Sequence, residues 1–138
     1  MTFHTPADKA REDAVARKVE PKLHVTLVRY PDLNPIDWYA VRDEQVVALL
    51  ELKCRSNASF KYETVFLSLR KWLALMLARQ GFGVPGIYVV EFTDNIYWIP
   101  VENVHGSKLK LKGHATRERA FHDIEPMIEV PVSEMLLL

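Results

Sequence analysis

The sequence predicts an α/β fold in which helices pack on a mixed β-sheet. Three observations lead there. Between Tyr62 and Gln80, apolar residues return at helical spacing: Val65, Phe66, Leu69, Trp72, Leu73, Met76 and Leu77. The run Val46–Cys54 (VVALLELKC) is apolar almost throughout, as expected of a central strand buried on both faces. The order of elements is helix, three strands, helix, two strands, loop, strand, which suits a sheet covered by helices. With 138 residues, the chain fits one domain with one core, spanning 1–138.

Thr5-Pro6-Ala7-Asp8 opens the first helix, with Thr5 as N-cap and Pro6 at the first helical position. This helix is expected to run to about Val19 and stop near Pro21. Leu23 to Tyr30 alternates enough to be a strand. Pro31 to Pro35 is a loop by its proline and Asx content. Ile36–Val41 and Val46–Cys54 read as strands joined by a polar turn at Arg42–Gln45. After a polar loop, the Tyr62–Gln80 helix ends at Gly81 and Gly83, and Pro85 prevents its continuation. Ile87–Phe92 and Ile96–Val101 form a hairpin around Thr93-Asp94-Asn95. Residues 105–122 are polar and basic and read as a long loop. Met127–Val132 is a last strand, placed at an edge because of Pro131.

Composition narrows the function classes. Hydrophobic residues make up 49% and charged residues 26%, a globular rather than disordered profile. The formal net charge is zero, so a surface for a polyanion must be local. The single cysteine, Cys54, excludes an intrachain disulfide and a cysteine-based zinc site, and suits a reducing cytoplasm. It reads as a small apolar filler. The polar N-terminus is not a signal peptide, and no apolar run approaches the roughly 20 residues that span a bilayer. The histidines lack ligand spacing. Gly81-Phe82-Gly83 follows a helix and precedes a strand, the reverse of a phosphate-binding loop.

The chemistry concentrates at Asp37, Glu51 and Lys53. Residues 51 and 53 share a face of their strand because side chains alternate. Asp37 joins them if the hairpin closes around Glu44 with a three-residue loop. A slip of one residue puts it on the other face. Two buried carboxylates side by side repel, and a divalent cation relieves this. Hard oxygen ligands suit Mg2+ or Mn2+. The backbone carbonyl of Leu52 is a further candidate ligand. Lys53 is placed to hold or help deprotonate a water, or to neutralise charge on a phosphodiester under attack. The plainer reading is a solvated strand face or a structural ion pair. Against it, the charges interrupt an apolar run, where unpaired charge is costly. Carboxylates more than about 8 Å apart could not share one ion at its ~2.1 Å ligand distances.

Ile36-Asp37, Glu51-Leu52-Lys53 and the helix–strand–strand–strand–helix–strand order resemble the PD-(D/E)XK superfamily. That group includes restriction endonucleases, Holliday-junction resolvases and phage-type exonucleases. The resemblance covers about residues 6 to 101. The stretches Phe66–Phe92 and Asp94–Ile99 look like small phage or prophage members. Ile36 stands where the motif's proline would be. The resemblance implies a restriction-endonuclease-like αβββαβ core, a mixed central sheet flanked by helices. It also implies an acid from the first helix that completes catalytic and metal-binding sets. Glu12 is the first choice, then Asp13 and Glu20, with an ordinary solvated helix residue as the equal alternative. In similar nucleases polar groups of the second long helix approach the site. Here that helix carries Ser68 and Lys71, although its stripe reads mainly as core.

Lys108, Lys110, Lys112, His114, Arg117 and Arg119 cluster in residues 106–119. They make either an edge strand protected by lysine or, the favoured reading, a basic arm that neutralises phosphates. Arg55, Lys61 and Lys71 add a basic rim. Trp38, Tyr39, Trp72 and Trp98 read as core. The expectation is a Mg2+- or Mn2+-dependent DNA nuclease of the cytoplasm of a bacterial or phage-infected cell. It would act on DNA structure or ends, as a homo-oligomer or through a targeting partner, without a membrane. The alternatives are a catalytically silent nucleic-acid-binding or phage assembly protein on the same fold, and a nuclease acting on RNA.

Overall fold

The computed structural model describes residues 6–31, 35–105, 109–112 and 125–138. Helix α1 (Pro6–Leu23) leads into strands β1 (Thr26–Arg29), β2 (Trp38–Arg42) and β3 (Gln45–Cys54). Strand β4 (Thr64–Ser68) runs straight into helix α2 (Leu69–Phe82), followed by β5 (Gly86–Glu91) and β6 (Ile96–Pro100). Strands β7 (Leu109–Lys112), β8 (Glu125–Pro131) and β9 (Leu136–Leu137) complete the described elements. Among the described residues, one sheet has the order β1-β2-β3-β5-β6-β9 and a second has the order β4-β8-β7. The β3–β5 pair is parallel and its neighbours are antiparallel, so the larger sheet is mixed as expected. No helix among the described residues is long and apolar enough to cross a membrane.

The two faces of the larger sheet bury different layers. On one, Val15, Ala16 and Val19 of α1 pack on Leu27, Trp38, Ala40, Leu50, Leu52 and Val89. On the other, Leu75 and Ala78 of α2 join Leu49, Tyr88 and Val90, together with Val65, Leu67, Ile128 and Val130 of the smaller sheet. From Ala48 onward, even-numbered residues of β3 therefore face α1 and odd-numbered ones face α2, the side to which Glu51 and Lys53 belong.

Several elements differ from expectation. Helix α1 continues through Pro21 to Leu23, because that proline falls in the last turn, where little helix remains to lose hydrogen bonds. His24, with φ 56°, closes it, and the Val25 N–H donates back to the Glu20 carbonyl at 3.2 Å. The expected long helix from Tyr62 is a strand as far as Ser68. Val65 and Leu67 point into the core with period two, and β8 supplies their hydrogen-bond partners. Within α2, Leu75 and Ala78 are buried, while Leu73 and Leu77 of the expected stripe are 45% and 65% exposed. Strand β8, expected to be last and at an edge, is central to its sheet and is followed by β9. Pro131 sits at its end, opposite Thr64, and the next N–H, that of Val132, donates to the Glu63 carbonyl at 2.9 Å. Leu109–Lys112, favoured as part of a mobile arm, is instead the edge strand β7, paired to β8. Thr5 lies outside the described residues.

Candidate active site

The site forms where β2 begins and β3 ends. The ladder pairs Trp38 with Leu50, Tyr39 with Leu49 and Ala40 with Ala48, and Asp37 lies one step beyond, beside Glu51. The turn that sets this register is Asp43-Glu44, both at positive φ (50° and 64°), the two-residue geometry that matches strand twist. The expected loop was one residue longer. A straight ladder from this shorter turn would bring Asp37 opposite Leu50, on the α1 face. The register instead shifts between Ala40 and Val41, leaving Val47 as an extra residue on β3. That bulge returns Asp37 to the face of Glu51.

The two carboxyl groups come within hydrogen-bond reach of each other. Both are bonded to Lys71 in the first turn of α2. Its Nζ donates to Asp37 Oδ2 at 2.7 Å and to Glu51 Oε1 and Oε2 at 3.0 and 2.9 Å. Lys71 lies on the buried face of α2 because positions 71, 75 and 78 are one and two turns apart. Burial pushes the Glu51 carboxyl well above the usual range, against the pull of the Lys71 charge. Burial also opposes the Lys71 ammonium, but Glu51 and Asp37 outweigh it and hold its pKa above the ordinary value.

Lys53 shares the face of Glu51 and makes no ion pair or side-chain hydrogen bond among the described residues. Leu52 buries its side chain on the opposite, α1, face. Tyr88, the β5 partner of Glu51, is fully buried and donates its hydroxyl to the Phe66 carbonyl at 2.8 Å. Burial raises its pKa, so it stays a neutral donor that ties the β4–α2 junction to the sheet beside the carboxylates. Ser68, at the N-cap of α2, makes no capping bond, and its buried Oγ has no partner among the described residues.

The helix-borne acids are not part of this cluster. Glu12 is buried on the α1 side and meets Arg29 Nη1 at 3.4 Å. Arg29 also binds Asp13 at 2.8 Å and the Lys9 carbonyl at 3.2 Å, and lies 4.4 Å from the centre of the Trp38 ring. Glu20 accepts from the Leu27 N–H at 2.8 Å and pairs with Arg17. These acids serve the packing of α1 on β1 because α1 covers the even-numbered face of β3. Among the described residues, no three His, Cys, Asp or Glu side chains gather around one point. Glu12, expected from the resemblance as a further catalytic acid and ligand, stands with Arg29 on the α1 side.

Of the expected basic surface, Lys71 is corrected most: its side chain is 18% exposed and it sits at the centre of the site, not on a rim. Periodicity hid this, because the stripe assigned to the helix was turned toward Leu73 and Leu77. Arg55 follows the end of β3, and its positive charge lies near the Tyr88 hydroxyl. Lys61 is exposed, 5.4 Å from the centre of the Tyr62 ring. Its loop is pinned by Asp94, which accepts from the Ser59 N–H at 2.7 Å and the Ser59 hydroxyl at 2.6 Å. Phe60 projects from this loop, 85% exposed. Lys110 pairs with Glu129 at 2.7 Å on β8, which an edge lysine does in place of a free arm. Lys108, Arg117 and the side chain of Lys112 lie outside the described residues.

The donor set fits a hard divalent cation. Two carboxylates from adjacent strands already converge on one cationic centre, the Lys71 ammonium, with three oxygens within 3.0 Å. A family model described as "Phage putative PDDEXK endonuclease" matches residues 1–137. No curated protein matches the chain. Among solved structures, Hjc of Archaeoglobus fulgidus, a Holliday junction resolvase from an archaeal hyperthermophile, superposes with a TM-score of 0.57 at 15% identity, over 90% of this chain and 88% of that one. At that identity the likeness shows a shared fold, the restriction-endonuclease-like one.

Proposed function

The chain belongs to the phage PD-(D/E)XK endonuclease family, and from that premise we propose that it is a metal-dependent deoxyribonuclease working at the Asp37–Glu51 pair. The observation that carries this is the convergence of both carboxylates on one cationic centre, with Lys53 on the same face of β3. Asp37 and Glu51, with the Leu52 carbonyl between Glu51 and Lys53 in the chain, are the residues that would hold Mg2+ or Mn2+. Such an ion supplies a water of lowered pKa and positive charge for the phosphodiester.

The chain's own residues then have distinct tasks. Glu51 and Asp37 orient by carboxylate geometry, fixed by the β2–β3 register. Lys53 donates a hydrogen bond to the attacking water or to a non-bridging phosphate oxygen, where negative charge grows. Arg55 and Lys61 neutralise flanking phosphates, and Phe60 offers a flat face to an unpaired base. The test is cleavage of supercoiled, linear, branched and single-stranded DNA, and of matched RNA, with Mg2+, Mn2+ or EDTA. Branched DNA is included because Hjc is a Holliday junction resolvase. Metal-dependent cleavage abolished by Lys53→Ala supports the reading. Well-folded protein that cuts none of these substrates would sink it.

One observation favours a second reading. Lys71 already neutralises both acids, as it would in a catalytically silent nucleic-acid-binding or assembly protein that retains the triad for stability. Such a protein would bind DNA equally well in EDTA and cut nothing.

A further inference from the structure

Three features set Lys71 apart from an ordinary surface lysine. Its side chain is only 18% exposed. It stands in the first turn of α2, which has no acidic residue, so the positive end of the helix dipole repels it. And it bonds three oxygens of two carboxylates at once, at 2.7, 2.9 and 3.0 Å. Burial and dipole both disfavour a cation there, so the carboxylate pair alone keeps it in place. Glu51 and Asp37 in turn lean on Lys71, since two adjacent, largely buried carboxylates without a counter-charge are strongly destabilising.

An ammonium and a divalent ion cannot share that centre. Ligand oxygens close to ~2.1 Å around Mg2+, and like charges a few ångströms apart repel strongly at protein dielectric. We propose that Lys71 is the resident counter-ion of the Asp37–Glu51 pair, and that binding of a divalent cation and withdrawal of the Lys71 ammonium are one coupled exchange. This rests on the metal-dependent reading of the site and goes beyond it: the lysine that acts on the water, Lys53, and the lysine that guards the acids, Lys71, are different residues. The flexible four-carbon stem lets the ammonium leave without moving α2. The exchange lets the protein fold with its acids neutralised before metal arrives, at the expense of metal affinity.

The test is calorimetric titration of Mn2+ and Mg2+, without DNA, into the wild type, Lys71→Met, Lys71→Gln and Asp37→Asn. The expected result is at least about tenfold tighter binding in both Lys71 variants and loss of binding in Asp37→Asn. Because removing Lys71 leaves two buried carboxylates without a counter-charge, the second measurement uses the wild type. The NMR signals of the Lys71 ε-methylene should shift as Mg2+ is added, saturating with the calorimetric Kd. Binding lost in Asp37→Asn but unchanged or weaker in folded Lys71 variants, or an unmoved Lys71 signal at saturation, overturns the exchange and leaves the metal site standing. No binding in the wild type or either Lys71 variant, or tighter binding that survives Asp37→Asn, overturns the metal site and the exchange together.

Discussion

Asp37 faces Glu51 because Val47 is an extra residue in β3. The Asp43-Glu44 turn alone would set a register one residue off, and the bulge restores it. The site thus depends on a turn that holds two non-glycine residues at positive φ, 50° and 64°.

At such an angle a Cβ costs about 1–2 kcal/mol. Glu44→Gly removes it, while a glycine loses more chain entropy on folding. The expected net gain is about 0.5 kcal/mol or slightly more, read as a higher urea midpoint with unchanged DNA cleavage. A fall in the midpoint would show that the Glu44 side chain does more than tolerate the turn.

Lys53→Ala should lower the rate of DNA cleavage about 10²-fold or more and leave Mn2+ affinity within a few-fold of wild type. Asp37→Asn should remove both. Equal loss of metal affinity in the two variants would mean that Lys53 organises the ligands and does not act on the reacting groups.

Gly86 begins β5 where it passes under α2. A Cβ there would lie 2.9 Å from Val101 Cγ2 and 3.0 Å from Leu75 Cβ. Gly86→Ala is expected to destabilise by about 1–3 kcal/mol through overpacking. Equilibrium denaturation checks this, and an unchanged midpoint would refute the close approach.

Asp94 titrates below its ordinary value of 3.8 because the Ser59 hydroxyl and N–H both donate to it. A depressed carboxyl pKa stabilises the folded state fully above the unfolded value. That stability is lost as pH falls through the lower folded value. The Asp94 carboxyl carbon should therefore show an NMR midpoint below 3.8, and Ser59→Ala should move it upward. Titration at the ordinary value in the wild type would mean that the loop pin is absent in solution.

Phe60 is 85% exposed on the loop that Asp94 fixes. Phe60→Ala should weaken binding of single-stranded or branched DNA by roughly the ~1–3 kcal/mol of one base stack, with no change in melting temperature. Fluorescence anisotropy measures the first. If the variant instead changes oligomeric state, the ring covers a second copy of the chain and not a base.

Some of this was determined by the sequence alone. Alternation along one strand put Glu51 and Lys53 on the same face, and an uninterrupted apolar run made β3 a central strand. The Ile87–Phe92 and Ile96–Val101 runs with a turn between them made the β5–β6 hairpin. Periodicity within an element settles such relations because it depends only on backbone geometry.

Only the tertiary structure decided the rest. Val65, Phe66 and Leu69 satisfy helical spacing, yet pairing with β8 makes Thr64–Ser68 a strand, so the true face of α2 is the one bearing Lys71, Leu75 and Ala78. The side of the sheet that α1 covers decided that Glu12 binds Arg29. The bulge at Val47 decided that Asp37 meets Glu51. A sequence pattern states which residues share a face. It does not state which face meets which neighbour, because that depends on register and on partner strands remote along the chain.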